Sequence, residues 1–138
     1  MKPNLSYWSI EQLPGLNENY LRLLKGRSIH TTKDLLRCAS SLQGKQKLAN
    51  QLQLKVNYIH KWVAMANLAR VPSVGCQHCG LILHAGIASV EQLAITPVAR
   101  LHKQILRLHV STMQRRDMCP SVEQVQVWIR QAQIIANS

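Results

Sequence analysis

Two short turns carry the most open chemistry in this sequence. Leu13-Pro14-Gly15-Leu16-Asn17 and Val71-Pro72-Ser73-Val74-Gly75 each stand just ahead of a helical stretch. A turn of this kind exposes backbone N–H groups at the positive end of a helix dipole, where they hold a phosphate oxygen without reading any base. The residues expected to admit the phosphate are Gly15 and Asn17 in the first turn and Ser73 and Gly75 in the second. Asn tolerates unusual backbone angles, and Ser caps a helix or contacts phosphate, so the loss of one glycine weakens each site without abolishing it; the alternative is a purely structural turn.

The cations point the same way. Arg100, Lys103 and Arg107 form one stripe at helical spacing, with Arg115 and Arg116 close behind, and the first half offers Arg22, Lys25, Arg27 and Lys33 in and just after its turn. A charged stripe is ordinarily the solvated face of an amphipathic helix. Such faces mix signs, however, and from Lys45 to Arg116 the only acid is Glu91.

The thiols and imidazoles offer less. Cys76-Gln77-His78-Cys79 has half the spacing of a zinc knuckle, but a site needs four ligands, for which His84 and Cys119 are the available completions. Cysteines three apart on a helix can also form a regulated disulfide, helped by a helix N-terminus that lowers a thiol pKa. We read both as small core residues, with zinc at Cys76 and Cys79 and the redox pair as the alternatives. None of the six histidines has an acid placed to pair with it, and neither a Walker-type loop nor a metalloprotease signature nor a nucleophile elbow is present. No enzyme and no cofactor are expected.

These residues must be positioned by helices. Glu18–Lys25 is expected to be a short helix closed by Gly26, and a second follows the Thr31 cap and buries Leu35 and Leu36. A basic stretch around Lys45 and Lys47 separates these from a long helix over 55–70, where Val56, Ile59, Val63 and Ala66 define a buried face. In the second half Pro97 opens a two-faced helix with Val98, Leu101, Ile105 and Leu108 opposite the cationic stripe. The last helix runs over 121–136 from a Ser121 cap. No stretch alternates at period two for long enough to make a sheet, so the fold class is all-α.

The order of these parts repeats. From Leu13/Val71 through Leu24/Ile82 and Ile29/Ile87 to Leu35/Leu93 the matching positions lie 58 residues apart, and the capping signal Thr31-x-x-Asp34 lands on Ser89-x-x-Gln92. Trp62 then matches Trp128 at a spacing of 66, which places an insertion before the last helix. A repeat of this length is a duplicated supersecondary unit, covering about 10–70 and 71–136 within a single domain. Trp62 and Trp128 are expected to anchor the core of each half rather than to stack on bases.

An apolar-Pro-Gly-apolar turn, a short helix, a Gly-Ile turn and a second capped helix resemble the helix-hairpin-helix motif. The whole, with a tryptophan helix after each hairpin, is similar to a family of uncharacterised bacterial proteins, a domain of unknown function, that carry two such units in tandem, and the likeness covers 10–135. The resemblance implies two fused units sharing one core. In DNA-binding members of the motif both glycines of the turn let the backbone approach the phosphate; here each turn keeps one.

Composition bounds the function. In 138 residues, 17 Lys and Arg stand against 6 Asp and Glu, giving a net charge of +11 and a pI near 10.1. The apolar fraction of 46% is enough to build a core, and the cationic excess favours a polyanionic partner. The chain shows no signal peptide and no stretch as long as a spanning helix, so a cytoplasmic protein without membrane insertion is expected. The expected function is sequence-independent nucleic-acid binding, DNA before RNA, through the turns and the basic face. The alternative is a protein interaction adaptor whose basic face meets an acidic partner.

Overall fold

The computed structural model describes residues 5–108 and 119–137. Oxygen-bearing side chains start its helices: Asn17, Thr31, Ser41, Ser89 and Ser121 each accept a hydrogen bond from the backbone N–H three residues on, at 2.9–3.1 Å. Each of these bonds satisfies one of the donors that a helix start leaves without a partner. The resulting order is a 3-10 turn at Ile10–Gln12, then α1 (Glu18–Lys25), α2 (Thr32–Cys38), α3 (Leu42–Leu52), α4 (Val56–Leu68), α5 (Gly75–His84), α6 (Val90–Ala94), α7 (Val98–Leu108) and α8 (Val122–Ala136). Among the described residues there is no sheet; Ser9 and Thr31 form one isolated β-bridge. The protein is all-α in these residues, and none of their helices is long and apolar enough to cross a membrane.

Positions 58 or 66 apart take corresponding places. Leu24 and Ile82, Ile29 and Ile87, and Leu35 and Leu93 are all buried, as are Trp62 and Trp128. α2 packs on α4 as α6 packs on α8, and α3 lies on α4 as α7 lies on α8, while α4 meets α5 where the two halves join. At Thr31 the capping box is complete, with the Asp34 carboxylate accepting from the Thr31 and His30 N–H groups. At Ser89 the Gln92 amide oxygen reaches the N–H of Ala88 instead, at 3.0 Å.

Two sequence expectations need correction. The basic stretch around Lys45 and Lys47 is a helix, α3, which buries Leu48, Ala49 and Leu52. The helix after Pro97, which the sequence shows in the second half alone, therefore has a counterpart in the first. The longer spacing arises between α7 and α8, joined by residues 109–121, where α3 and α4 are joined by 53–55. Gly26 does follow α1, but in a right-handed conformation; the left-handed residue of that turn is Ser28 (φ 64°).

The segment ahead of the first turn is tied to the start of α2 and to the end of α4. Trp8 exchanges backbone and hydroxyl hydrogen bonds with Thr32, and its indole N–H donates to the Ala69 carbonyl at 2.8 Å. Ser6 N–H reaches the Arg70 carbonyl at 2.9 Å. The first turn is thereby fixed against the chain that leads from α4 into α5.

Candidate nucleic-acid interface

Leu13 is buried and anchors the first turn, while Pro14 and Gly15 face solvent. Gly15 has φ +83° with open space where a side chain would begin, so glycine meets the backbone requirement and leaves the surface bare. Pro14 and Gly15 are the central residues of a turn closed between the Leu13 carbonyl and the Leu16 N–H, and the Gly15 N–H makes no hydrogen bond within the described residues. Asn17 is the N-cap of α1, its side-chain oxygen accepting from Tyr20 N–H at 2.9 Å. The open backbone donor of this turn thus lies at Gly15, just ahead of a capped helix.

Beneath the turn lies a cleft of about 380 Å³, walled on its other side by α4. Tyr20, Tyr58 and Trp62 form its aromatic wall, with Tyr20 5.2 Å from Trp62 and 5.7 Å from Tyr58 between ring centroids. The neighbouring Tyr58 phenol and, after it, burial hold the Tyr20 phenol above its ordinary pKa. Lys55 and Lys61 stand at the cleft, and neither is ion-paired among the described residues. None of the lining residues is acidic. Lys55, Lys61, Tyr20 and Tyr58 do not stand out in the sequence, where α4 reads as a core helix. The available signal is spacing, since Tyr58, Lys61, Trp62 and Met65 share one helical face.

The second turn is closed. Ser73 donates both its N–H (3.0 Å) and its hydroxyl (2.7 Å) to the Gln131 side-chain oxygen, and its carbonyl accepts from the Trp128 indole at 3.1 Å. Gly75 is buried with φ +53°, and a Cβ there would stand 3.1 Å from the Trp8 ring. Its glycine admits an indole, where a phosphate was expected. The donors of Ser73 and the space at Gly75, both expected to meet phosphate, are thus taken up inside the protein. His78 and Gln124 stand where Tyr20 and Tyr58 stand in the first half, with the His78 ring 5.0 Å from Trp128. The positions of Lys55 and Lys61 are taken by Ser121 and Val127.

Of the remaining cations, Lys25 is ion-paired to Glu11, which lowers the Glu11 pKa, and Arg22 shares a groove with Glu11 and Glu18. The α1 cations are thus partly neutralised. Arg100, Lys103 and Arg107 are exposed along α7, opposite buried Leu101 and Ile105, and form no ion pair among the described residues. Arg115 and Arg116 lie outside the described residues.

Burial pushes the Cys76 thiol up to about 11 and the Cys79 thiol up to about 12, opposite in direction to the lowering that the redox alternative invokes. Cys79 is fully buried, its thiol 3.7 Å from the Cys76 carbonyl oxygen. Among the described residues no three His, Cys, Asp or Glu side chains gather where they could hold a metal ion. Residues 14–135 match the model of the family described as Domain of unknown function (DUF4332). No curated protein and no solved structure matches the chain.

Proposed function

We propose that this chain, which belongs to the DUF4332 family, binds nucleic acid without reading its sequence, and that its turns are those of two helix-hairpin-helix units. The observation that carries the reading is the uncompensated charge. The chain holds +11, and the only ion pair among the described residues is Lys25–Glu11. Three further cations line α7 without an ion pair among the described residues, and the first turn adds the backbone donor of Gly15. Phosphate contacts of this kind fix a protein on a duplex without specifying bases. DNA before RNA is the favoured ligand, and the cytoplasm, where its thiols stay reduced, is the compartment in this reading.

One observation favours the adaptor reading: the second turn is closed by Gln131 and so behaves as scaffold. The two readings part on the α7 stripe. Replacing Arg100, Lys103 and Arg107 together by Gln should weaken binding to all duplex sequences alike and reduce the salt slope by about one unit for each phosphate no longer neutralised. Because these side chains face away from Leu101 and Ile105, thermal unfolding should be little changed. A triple variant that binds DNA as tightly as the wild type would remove the stripe from the interface.

A further inference from the structure

We infer that the cleft beneath the first turn holds one unstacked nucleotide of a single DNA strand, its base on Tyr58 and its phosphate held by Lys55, Lys61 and the open N–H of Gly15. The inference rests on the nucleic-acid reading and deepens it, because it assigns a strand preference that phosphate contacts alone do not give.

The cleft divides its chemistry as a nucleotide does. Its aromatic side suits a flat, weakly polar base, and its cationic side with an open N–H donor suits a phosphodiester. Its volume of about 380 Å³ is within the range of small-ligand sites. Tyr58 is 42% exposed, an unusual place for a large ring that is otherwise held firmly, with Tyr20 5.7 Å and Trp62 6.3 Å away. A platform already fixed by neighbouring rings loses little side-chain freedom when a base stacks on it. With no carboxylate in the lining, nothing repels the phosphate. A bare anion would use the lysines and leave the aromatic wall idle.

Geometry then selects the strand. A paired base reaches such a cleft only by leaving its stack, at a cost of a few kcal/mol, whereas a single strand offers its bases already free. The second half makes no equivalent site. Gln124 stands in place of Tyr58, the lysines are replaced by Ser121 and Val127, and Gln131 fills the turn. One such site per chain follows.

The test compares an oligothymidylate with a duplex, both titrated at low salt against wild type, Tyr58→Ala, Tyr58→Leu and Tyr58→Phe. Loss of the π-face in the Ala and Leu variants should weaken oligothymidylate binding about tenfold, the scale of one base–aromatic stack. Duplex affinity should stay unchanged, which also shows that the variants are folded. Tyr58→Phe should bind the oligothymidylate as the wild type does. If all Tyr58 variants bind the single strand like wild type, or lose both ligands equally while still folded, the cleft does not hold a base and the inference alone is overturned. If wild type binds neither ligand, the nucleic-acid reading falls and takes the inference with it.

Discussion

Asn17 and Gly75 are matching positions in the two turns, and their environments give them opposite work. Asn17 caps an exposed helix start, whereas Gly75 makes room for the Trp8 ring. A β-branched residue at Gly75 meets both a left-handed backbone and an indole that cannot move without breaking its bond to Ala69. Gly75→Val should therefore lower the unfolding free energy by about 2 kcal/mol or more, measured by urea denaturation. Gln131→Ala should cost about 1 kcal/mol in the same assay, because Ser73 loses the acceptor for two donors. His78 gives a pH signature. Burial holds its imidazole below the ordinary 6.5, so the unfolded chain takes up a proton first. Stability should then be full above the unfolded pKa and decline as pH falls from there through the depressed folded value, and His78→Gln should flatten that limb of the profile. The sequence made Gly15 and Asn17 legible as turn residues, but not the closure of Ser73. Its acceptor comes from a helix 58 residues further on, and no local pattern announces that meeting.

Among the helices, what could be read depended on how much periodicity each one carries. α1 and α7 were legible because their apolar and charged positions separate cleanly, and α8 because Ser121 marks its start. α3 was not, since its buried Leu48, Ala49 and Leu52 lie within the last two turns and the rest is polar, with Leu42 exposed. Its stability comes from packing on α4, which sequence periodicity does not report. The caps were legible in both halves, and they make a matched pair of expectations. Thr31→Ala and Ser89→Ala should each cost about 1 kcal/mol, read from the shift in denaturation midpoint. A much larger loss at Thr31 alone would show that its complete capping box, absent in that form at Ser89, carries the difference. The cleft was illegible for a related reason: Lys55 just ahead of α4, and Tyr58 and Lys61 within it, lie some forty residues from the turn they face.

For the molecule as a whole, the excess of cations was plain in the composition, and the structure adds that few of them are spent internally. Lys25 pairs with Glu11 and Arg70 bonds to Asn67, while the α7 stripe and the cleft lysines remain open to a partner. A polyanion bound to such a surface releases condensed counterions in proportion to the phosphates neutralised. The most direct test is a titration of the wild-type chain with a generic DNA duplex across a series of salt concentrations. The logarithm of affinity should fall linearly with the logarithm of salt, with a slope of about −3 or steeper if the three α7 cations each meet a phosphate, and should not depend on sequence. No measurable affinity at low salt, or an affinity indifferent to salt, would contradict nucleic-acid binding and leave the acidic protein partner as the reading to pursue.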